Sequence, residues 1–158
     1  MLPHEIPAHS RVRRPITVLA SLLLSGAVAC RATTGDRPAG PLTVREAWAR
    51  AADSGATGAV YLTMVNTDTG AITISGVTTP VATTASIHET MNHEGMVHMM
   101  ARQSLSISRD STVVMAPGGL HVMLESLQRA LRAGDTLALS LTLTDGRTVP
   151  VTATVRAP

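Results

Sequence analysis

The feature that most constrains the fold is a succession of short strand-forming runs separated by turn signals, which begins at Leu42. The second half of the chain is rich in Thr and Val, which favour strands over helices. Asp145-Gly146 joins two such runs and is a strong hairpin signal. Strands are predicted at residues 42–50, 58–66, 71–79, 84–91, 96–102, 111–115, 120–127, 135–144 and 147–155. This pattern predicts a single all-β domain, a Greek-key barrel or sandwich, in which only residues 126–134 could form a helical turn.

The core of this domain must be aliphatic. The 158 residues include no Phe, one Trp (Trp48) and one Tyr (Tyr61). A chain of this length can bury a sizeable core, which must be built from Val, Leu, Ile, Ala and Met. We expect Met64 and Met115 to fill it, and Trp48, Tyr61 and Asn66 to serve the fold.

The N-terminus is typical of a processing signal. Three Arg residues at positions 11, 13 and 14 precede an apolar run from Ile16 to Ala29, which is short for a membrane span and suits a secretory signal. The run ends in AVAC, which resembles a bacterial lipobox with Cys30 as the lipidated residue. The predicted organisation is a signal peptide at 1–29, a lipidated Cys and flexible tether at 30–41, and a folded domain at 42–158. An ordinary signal peptide that leaves a free thiol is the alternative.

Export would leave a domain of nearly balanced charge. Removing residues 1–29 leaves ten Arg and ten Asp plus Glu, and the chain has no Lys. A near-neutral domain gives no support to nucleic-acid binding. We therefore expect an extracytoplasmic protein of the cell envelope that contacts the membrane through a lipid anchor.

The segment HETMNHEGMVHMM, residues 88–100, concentrates three of the six His and four of the eight Met. If NHEG closes a hairpin, as a four-residue loop or as a two-residue turn at His93-Glu94, His88 lies opposite Met99. Opposed Cβ atoms are about 5 Å apart, so an imidazole and a thioether can converge. His121 and Met123 form a second pair on one face of a later strand.

A set of two imidazoles and two thioethers indicates a particular metal. Neutral soft sulfur favours Cu(I), whereas zinc prefers thiolate, imidazole or carboxylate. Methionine also avoids the disulfide formation that cysteine undergoes in an oxidising compartment.

These residues resemble the signature of the periplasmic copper chaperones of the PCu(A)C family, H-x10-M-x21-H-x-M. His88, Met99, His121 and Met123 fall on its four positions. AWAR, AVYLTMVN, SIHE, APGGLHVMLESL and AGDTLALSLTL also resemble family blocks in family order, over about residues 42–156. The resemblance implies a cupredoxin-like barrel that binds Cu(I) and delivers it to periplasmic copper sites, such as an oxidase subunit. It implies no enzymatic activity.

Several alternatives remain open at this point. A copper buffer or resistance lipoprotein, or a structural lipoprotein without metal, would share most of these features. A blue-copper electron carrier is disfavoured, because its copper centre needs a thiolate and residues 31–158 contain no Cys.

The surplus residues of the hairpin have predictions of their own. In the assumed register Met91 lies opposite Met96, and His98 lies opposite Glu89. His93 and His98 could form an exposed accessory site for Cu(II), or be ordinary surface residues. Met91, Met96 and Met100 are expected on the face opposite to His88, where they could pack into the barrel, which we favour, or line an accessory face.

Overall fold

The computed structural model describes residues 40, 42–93 and 95–157, and gives His93 by its backbone alone. Ten strands account for the regular structure of this part: β1 (Leu42–Arg50), β2 (Gly58–Asn66), β3 (Ile72–Thr78), β4 (Ala82–His93), β5 (Met96–Arg102), β6 (Leu105–Ile107), β7 (Thr112–Val114), β8 (Leu120–Leu127), β9 (Thr136–Leu143) and β10 (Thr148–Arg156). The all-β prediction is confirmed. Within these residues there is no helix of a length and hydrophobicity that would cross a membrane.

The strands form one sheet in the order β5-β4-β8-β2-β1-β10-β9-β3-β6, with β7 paired to β2. The β1–β10 pair is parallel, and the other pairs are antiparallel. Strands distant in sequence are therefore neighbours: β8 lies between β4 and β2. This crossover brings the two His/Met segments of the sequence side by side.

The strand predictions hold with one omission and one error. The bounds of β1, β2 and β8 match, whereas the three-residue strand β6 was missed because it is too short to show a pattern. The suggested helical turn at 126–134 is wrong. Leu131 exchanges two backbone hydrogen bonds with Ala52, and Leu127 N–H donates to Ala56. These groups are used for pairing across the sheet, so they are not available to a helix.

The core is aliphatic, as the composition requires. In β9 and β10 every second residue is buried, including Leu139, Leu141 and Val151. Met64 and Met115 are buried too, which confirms their role as core residues.

Asn66 is a fold residue, as predicted. Its side chain is fully buried. The amide nitrogen donates towards the carbonyls of Gly70, Ile107 and Ser108 at 2.9–3.1 Å, and the amide oxygen accepts from Asp68 N–H at 2.8 Å. Asn66 therefore ties the end of β2 to the loops on both sides.

The β4–β5 hairpin has a different register from the predicted one. His93 pairs with Met96, with Gly95 in the turn between them, and Thr90 rather than His88 lies opposite Met99. Gly95 has a φ of 83°, a conformation that glycine adopts without steric cost and that tight hairpin turns require. The turn is placed where this glycine can supply it, one residue later than the predicted centre.

Candidate metal centre

Adjacent strands β4 and β8 hold both candidate imidazoles. His88 lies directly opposite His121, and Ser86 lies opposite Met123. The two imidazole centroids are 6.0 Å apart. Because side chains on a strand alternate between faces, Met123 and Ser86 share the face of the two histidines.

Met99 joins this face from the edge strand. The corrected register shifts each strand by one residue, so His88 now lies opposite Ala101. Met99 is two residues from Ala101 and therefore points to the same face as His88, in the diagonal position. The error in register changed the pairing and left the predicted set of four on a common face.

An open cavity of about 420 Å³ lies over this face. Its wall includes three of the four predicted ligands, Met99, His121 and Met123, together with Tyr61 and Thr90. His121 is only 6% exposed, whereas Met99 is 53% exposed. The site therefore has a fixed imidazole at its base and an accessible thioether at its rim.

The hydrogen bonds of His88 leave one ring nitrogen available. Nε2 lies 3.0 Å from the Ser86 hydroxyl. Nδ1 is buried and has no hydrogen-bond partner among the residues that the structure describes. Buried polar atoms are nearly always satisfied, so an unpartnered imidazole nitrogen beside a second histidine indicates a position for a ligand.

The tautomer of His121 is set by a backbone carbonyl. Nδ1 lies 3.0 Å from Gly119 O. Since a carbonyl only accepts, Nδ1–H must donate, and in the neutral ring Nε2 then carries the free lone pair. Gly119 O also accepts from Thr90 N–H at 3.1 Å. One carbonyl thus orients the imidazole and attaches β4 to the β7–β8 loop.

The β7–β8 loop is a tight turn that holds this carbonyl in place. Gly119 N–H donates to Ala116 O at 3.0 Å, Pro117 follows Ala116, and Gly118 has a φ of 81°. Pro followed by a residue with positive φ is the pattern of a type II turn. The PGG segment, residues 117–119, is therefore a turn that positions His121.

A row of aromatic rings extends from His121 through Tyr61 to Trp48. The Tyr61 centroid lies 6.3 Å from His121 and 4.6 Å from Trp48, and the Arg156 guanidinium lies 4.8 Å from the centre of the Trp48 ring. A β-bulge in β1, with Glu46 at a φ of 53°, precedes Trp48 and brings it opposite Tyr61. Trp48 and Tyr61 were predicted as fold residues, and in addition they pack towards the site.

Sequence reasoning missed the two hydrogen bonds that orient the histidines. Ser86 could have been found, because its position two residues before His88 on a strand puts both on one face. Gly119 could not, since a backbone carbonyl leaves no signal in the sequence.

The donors of this site are neutral. In the part of the chain that the structure describes, no three His, Cys, Asp or Glu side chains come together in a metal-binding group. Thioether sulfur, which two side chains of this face offer, favours soft ions over zinc.

The predicted accessory pair is arranged differently from the expectation. His98 lies opposite Met91, not Glu89. Glu89 forms an ion pair with Arg102 at 2.9 Å. The side chain of His93 is outside the described residues. Met91, Met96 and Met100 are 42–58% exposed, so the expectation that they pack into the barrel is wrong.

Comparison with known proteins places the domain in a family. The model of the family described as "Putative lipoprotein LpqE-like" matches residues 42–155. The chain belongs to this family. A protein of Leifsonia xyli subsp. xyli named "Putative lipoprotein Lxx21020" is 36% identical over 152 residues, which cover 93% of this chain and 91% of that protein.

Solved structures confirm a cupredoxin-like fold of the PCuAC type. The copper-bound PCuAC domain from PmoF2 superposes with a TM-score of 0.65 at 23% identity, covering 77% of this chain and 97% of that one. The solution structure of CuI-DR1885 from Deinococcus radiodurans gives a TM-score of 0.57 at 33% identity, with coverages of 78% and 85%. The LpqE-like chain is therefore built as a PCuAC domain.

The predicted signal peptide, Cys30 and most of the tether lie outside the described residues. The family and the Leifsonia relative both carry "lipoprotein" in their names, consistent with a place in the cell envelope.

Proposed function

We propose that this LpqE-like protein is a copper metallochaperone of the cell envelope, in which His88, Met99, His121 and Met123 hold one Cu(I). The observation that carries the proposal is the pair of facing imidazoles, one with a buried unpartnered Nδ1 and the other with a free Nε2. Two thioethers share their face of the sheet. His88 would bind through Nδ1 and His121 through Nε2.

The chemistry of this set selects the ion. Two imidazoles and two thioethers contribute no negative charge, and soft sulfur favours Cu(I). Zn(II) and Cu(II) would lack the thiolate or carboxylate that offsets a double charge. We therefore expect Cu(I) as the cargo, with weak affinity for Zn(II).

The comparisons support copper as the ligand. DR1885, at 33% identity, is described in a CuI form, and the PmoF2 domain is described as copper-bound. The PmoF2 domain, at 23% identity, contributes evidence for the fold alone. The argument for copper in this chain therefore rests on its own residues and on DR1885.

The placement of Met99 suits a carrier that gives up its cargo. Met99 stands on the outermost strand and is 53% exposed, so a donor from another protein can approach the ion from that side. Cu(I) would pass by exchange of ligands to a periplasmic copper-accepting protein, such as an oxidase subunit. A lipid on Cys30 would keep the carrier at the membrane. Nothing in this mechanism transforms a substrate, so the protein acts as a carrier and not as an enzyme.

Anaerobic titration with Cu(I) against a chromophoric chelator tests the site. The Met99→Leu/Met123→Leu variant should remain folded, because the change nearly conserves volume, and should lose tight binding of one Cu(I). The Met64→Leu/Met115→Leu variant makes the same chemical change in the core and should bind like the parent. Equal affinity in parent and in the Met99/Met123 variant would refute the assignment.

Delivery needs a separate measurement. The Cu(I)-loaded protein would be mixed with the apo form of a copper-accepting oxidase domain under argon, and copper in each would be measured after separation. Transfer faster than dissociation to a chelator indicates a chaperone. Transfer no faster than dissociation indicates a copper buffer.

A further inference from the structure

The hairpin carries an unusual concentration of exposed methionine on its second face. Of the six exposed large apolar side chains in the described part, five belong to the β4–β5 hairpin. Met91, Met96 and Met100 are 42%, 58% and 55% exposed. Burial of such side chains would stabilise the fold, and the fold forgoes this stabilisation here. The composition of this face therefore calls for a reason other than packing.

The register brings these residues together around one histidine. Met91 lies directly opposite His98, and Met100 lies two residues from His98 on the same strand. All three therefore share one face, with opposed Cβ atoms about 5 Å apart and diagonal ones about 7–8 Å apart. The long flexible side chain of methionine closes such distances. A depression of about 450 Å³ is lined by Met91, Asn92, His98, Met99 and Met100.

The charges around this depression suit a singly charged soft ion. Glu89, the nearest carboxylate in the register, lies opposite Met100 and is already paired with Arg102. The ring of His98 makes no hydrogen bond to any other residue that the structure describes. Its nitrogens remain free for a ligand, and the two neighbouring thioethers are neutral and soft.

We propose that Met91, His98 and Met100 form a second Cu(I) site, on the hairpin face opposite to His88. This site goes beyond the proposed function and does not depend on it, because none of its three ligands belongs to the four-residue site. It differs from the Cu(II) site that His93 and His98 could form, because the register pairs His98 with the thioether residue Met91. The site explains why Met91 and Met100 remain exposed on an edge hairpin.

Met99 connects the two sites. Met99 lines both the cavity over His121 and the depression over His98. An ion bound by Met91, His98 and Met100 would therefore lie close to a residue of the other site, whose side chain points to the His88 face. The second site, with three ligands and open to solvent, would bind Cu(I) more weakly and would load after the four-residue site.

The test uses the full chain solubilised in detergent, with ¹³C-labelled methionine methyl groups, titrated with Cu(I) under argon. Cu(I) is diamagnetic, so each bound thioether reports itself by a shift of its methyl signal. The first equivalent should move the signals of Met99 and Met123. The second should move those of Met91 and Met100, while the buried Met64 and Met115 stay in place.

A variant separates this site from the first. Met91→Leu/Met100→Leu should bind one Cu(I) fewer than the parent and keep the shifts of Met99 and Met123. The Met64→Leu/Met115→Leu control should bind as many as the parent. Unmoved Met91 and Met100 signals at two equivalents, or an undiminished stoichiometry in the variant, would overturn the second site. Shifts at Met91 and Met100 without shifts at Met99 and Met123 would instead refute the four-residue site.

Discussion

Removing the hydroxyl of Ser86 should weaken Cu(I) binding without removing a ligand. Ser86 Oγ lies 3.0 Å from His88 Nε2, whereas Nδ1 is unpartnered. If Nδ1 binds copper, Nε2 carries the proton and donates it to Ser86. Ser86→Ala removes this acceptor, so the ring is no longer held in the tautomer and orientation that binding requires.

The size of the effect follows from the position of Ser86. Loss of a hydrogen bond that supports a metal ligand lowers metal affinity by roughly 10–100-fold. Ser86 is half-buried, so water can replace part of the lost hydrogen bond, which favours the lower end of this range. We expect about a tenfold weaker affinity, or about 1.4 kcal/mol.

Anaerobic competition with a Cu(I) chelator measures this change. Ser106→Ala is the matched control, because Ser106 stands on β6 at the other edge of the sheet and should leave affinity unchanged. ¹⁵N spectra of the histidines provide an independent check, since copper should shift Nδ1 of His88 while Nε2 remains protonated. A Ser86→Ala variant that binds Cu(I) as tightly as the Ser106→Ala control would mean that His88 does not bind through Nδ1.

Three further predictions concern the frame around the site. Asn66→Ala should lower the free energy of unfolding by about 3 kcal/mol in urea titrations, from three hydrogen bonds at about 1 kcal/mol each; a loss below half of that would contradict the role given to Asn66. Gly118→Ala puts a side chain on a residue with a φ of 81°, so it should lower the free energy of unfolding by about 1–2 kcal/mol and weaken Cu(I) binding. The control Gly70→Ala should do neither, because Gly70 has no positive φ and open space around it. Hydrogen bonds from the backbone N–H and then the guanidinium of Arg147 lower the pKa of Asp145. The stability that Asp145 contributes is therefore present above its unfolded-state pKa and is lost as pH falls through its lower folded-state pKa. The difference in melting temperature between the parent and Asp145→Asn should shrink over that acid range, and a constant difference would exclude the linkage.

The sequence predicted most of the strands because each carries its own local signal. Runs such as residues 58–66 are bounded by turn residues, and the Asp145-Gly146 turn joins two of them. The hairpin register was wrong because two turn centres one residue apart fit the same letters, and only the conformation at Gly95 decides between them. A shift of one residue on both strands preserves which residues share a face, so the four predicted ligands were still grouped correctly.

Other features of the site depend on contacts between distant segments and have no local signal. The pairing of His88 with His121 joins residues 33 positions apart in sequence, and only the shared four-position motif pointed to it. The exposure of Met91 and Met100 also escaped prediction, because methionine is normally a core residue and the sheet edge that leaves them uncovered is set by the order of the strands.

The place of β5 at the end of the sheet has a consequence for the protein with and without its cargo. In the described sheet β5 pairs with β4 alone, so an unliganded β5 is held by a single ladder and presents an open edge to other chains. A metal shared by Met99 on β5, His88 on β4 and His121 on β8 would crosslink three neighbouring strands. Binding of copper would then hold β5 more firmly to the sheet and slow amide hydrogen exchange along residues 96–102. Release of copper would restore the faster exchange. The copper that the protein carries would thus also control how readily the edge strand unfolds locally.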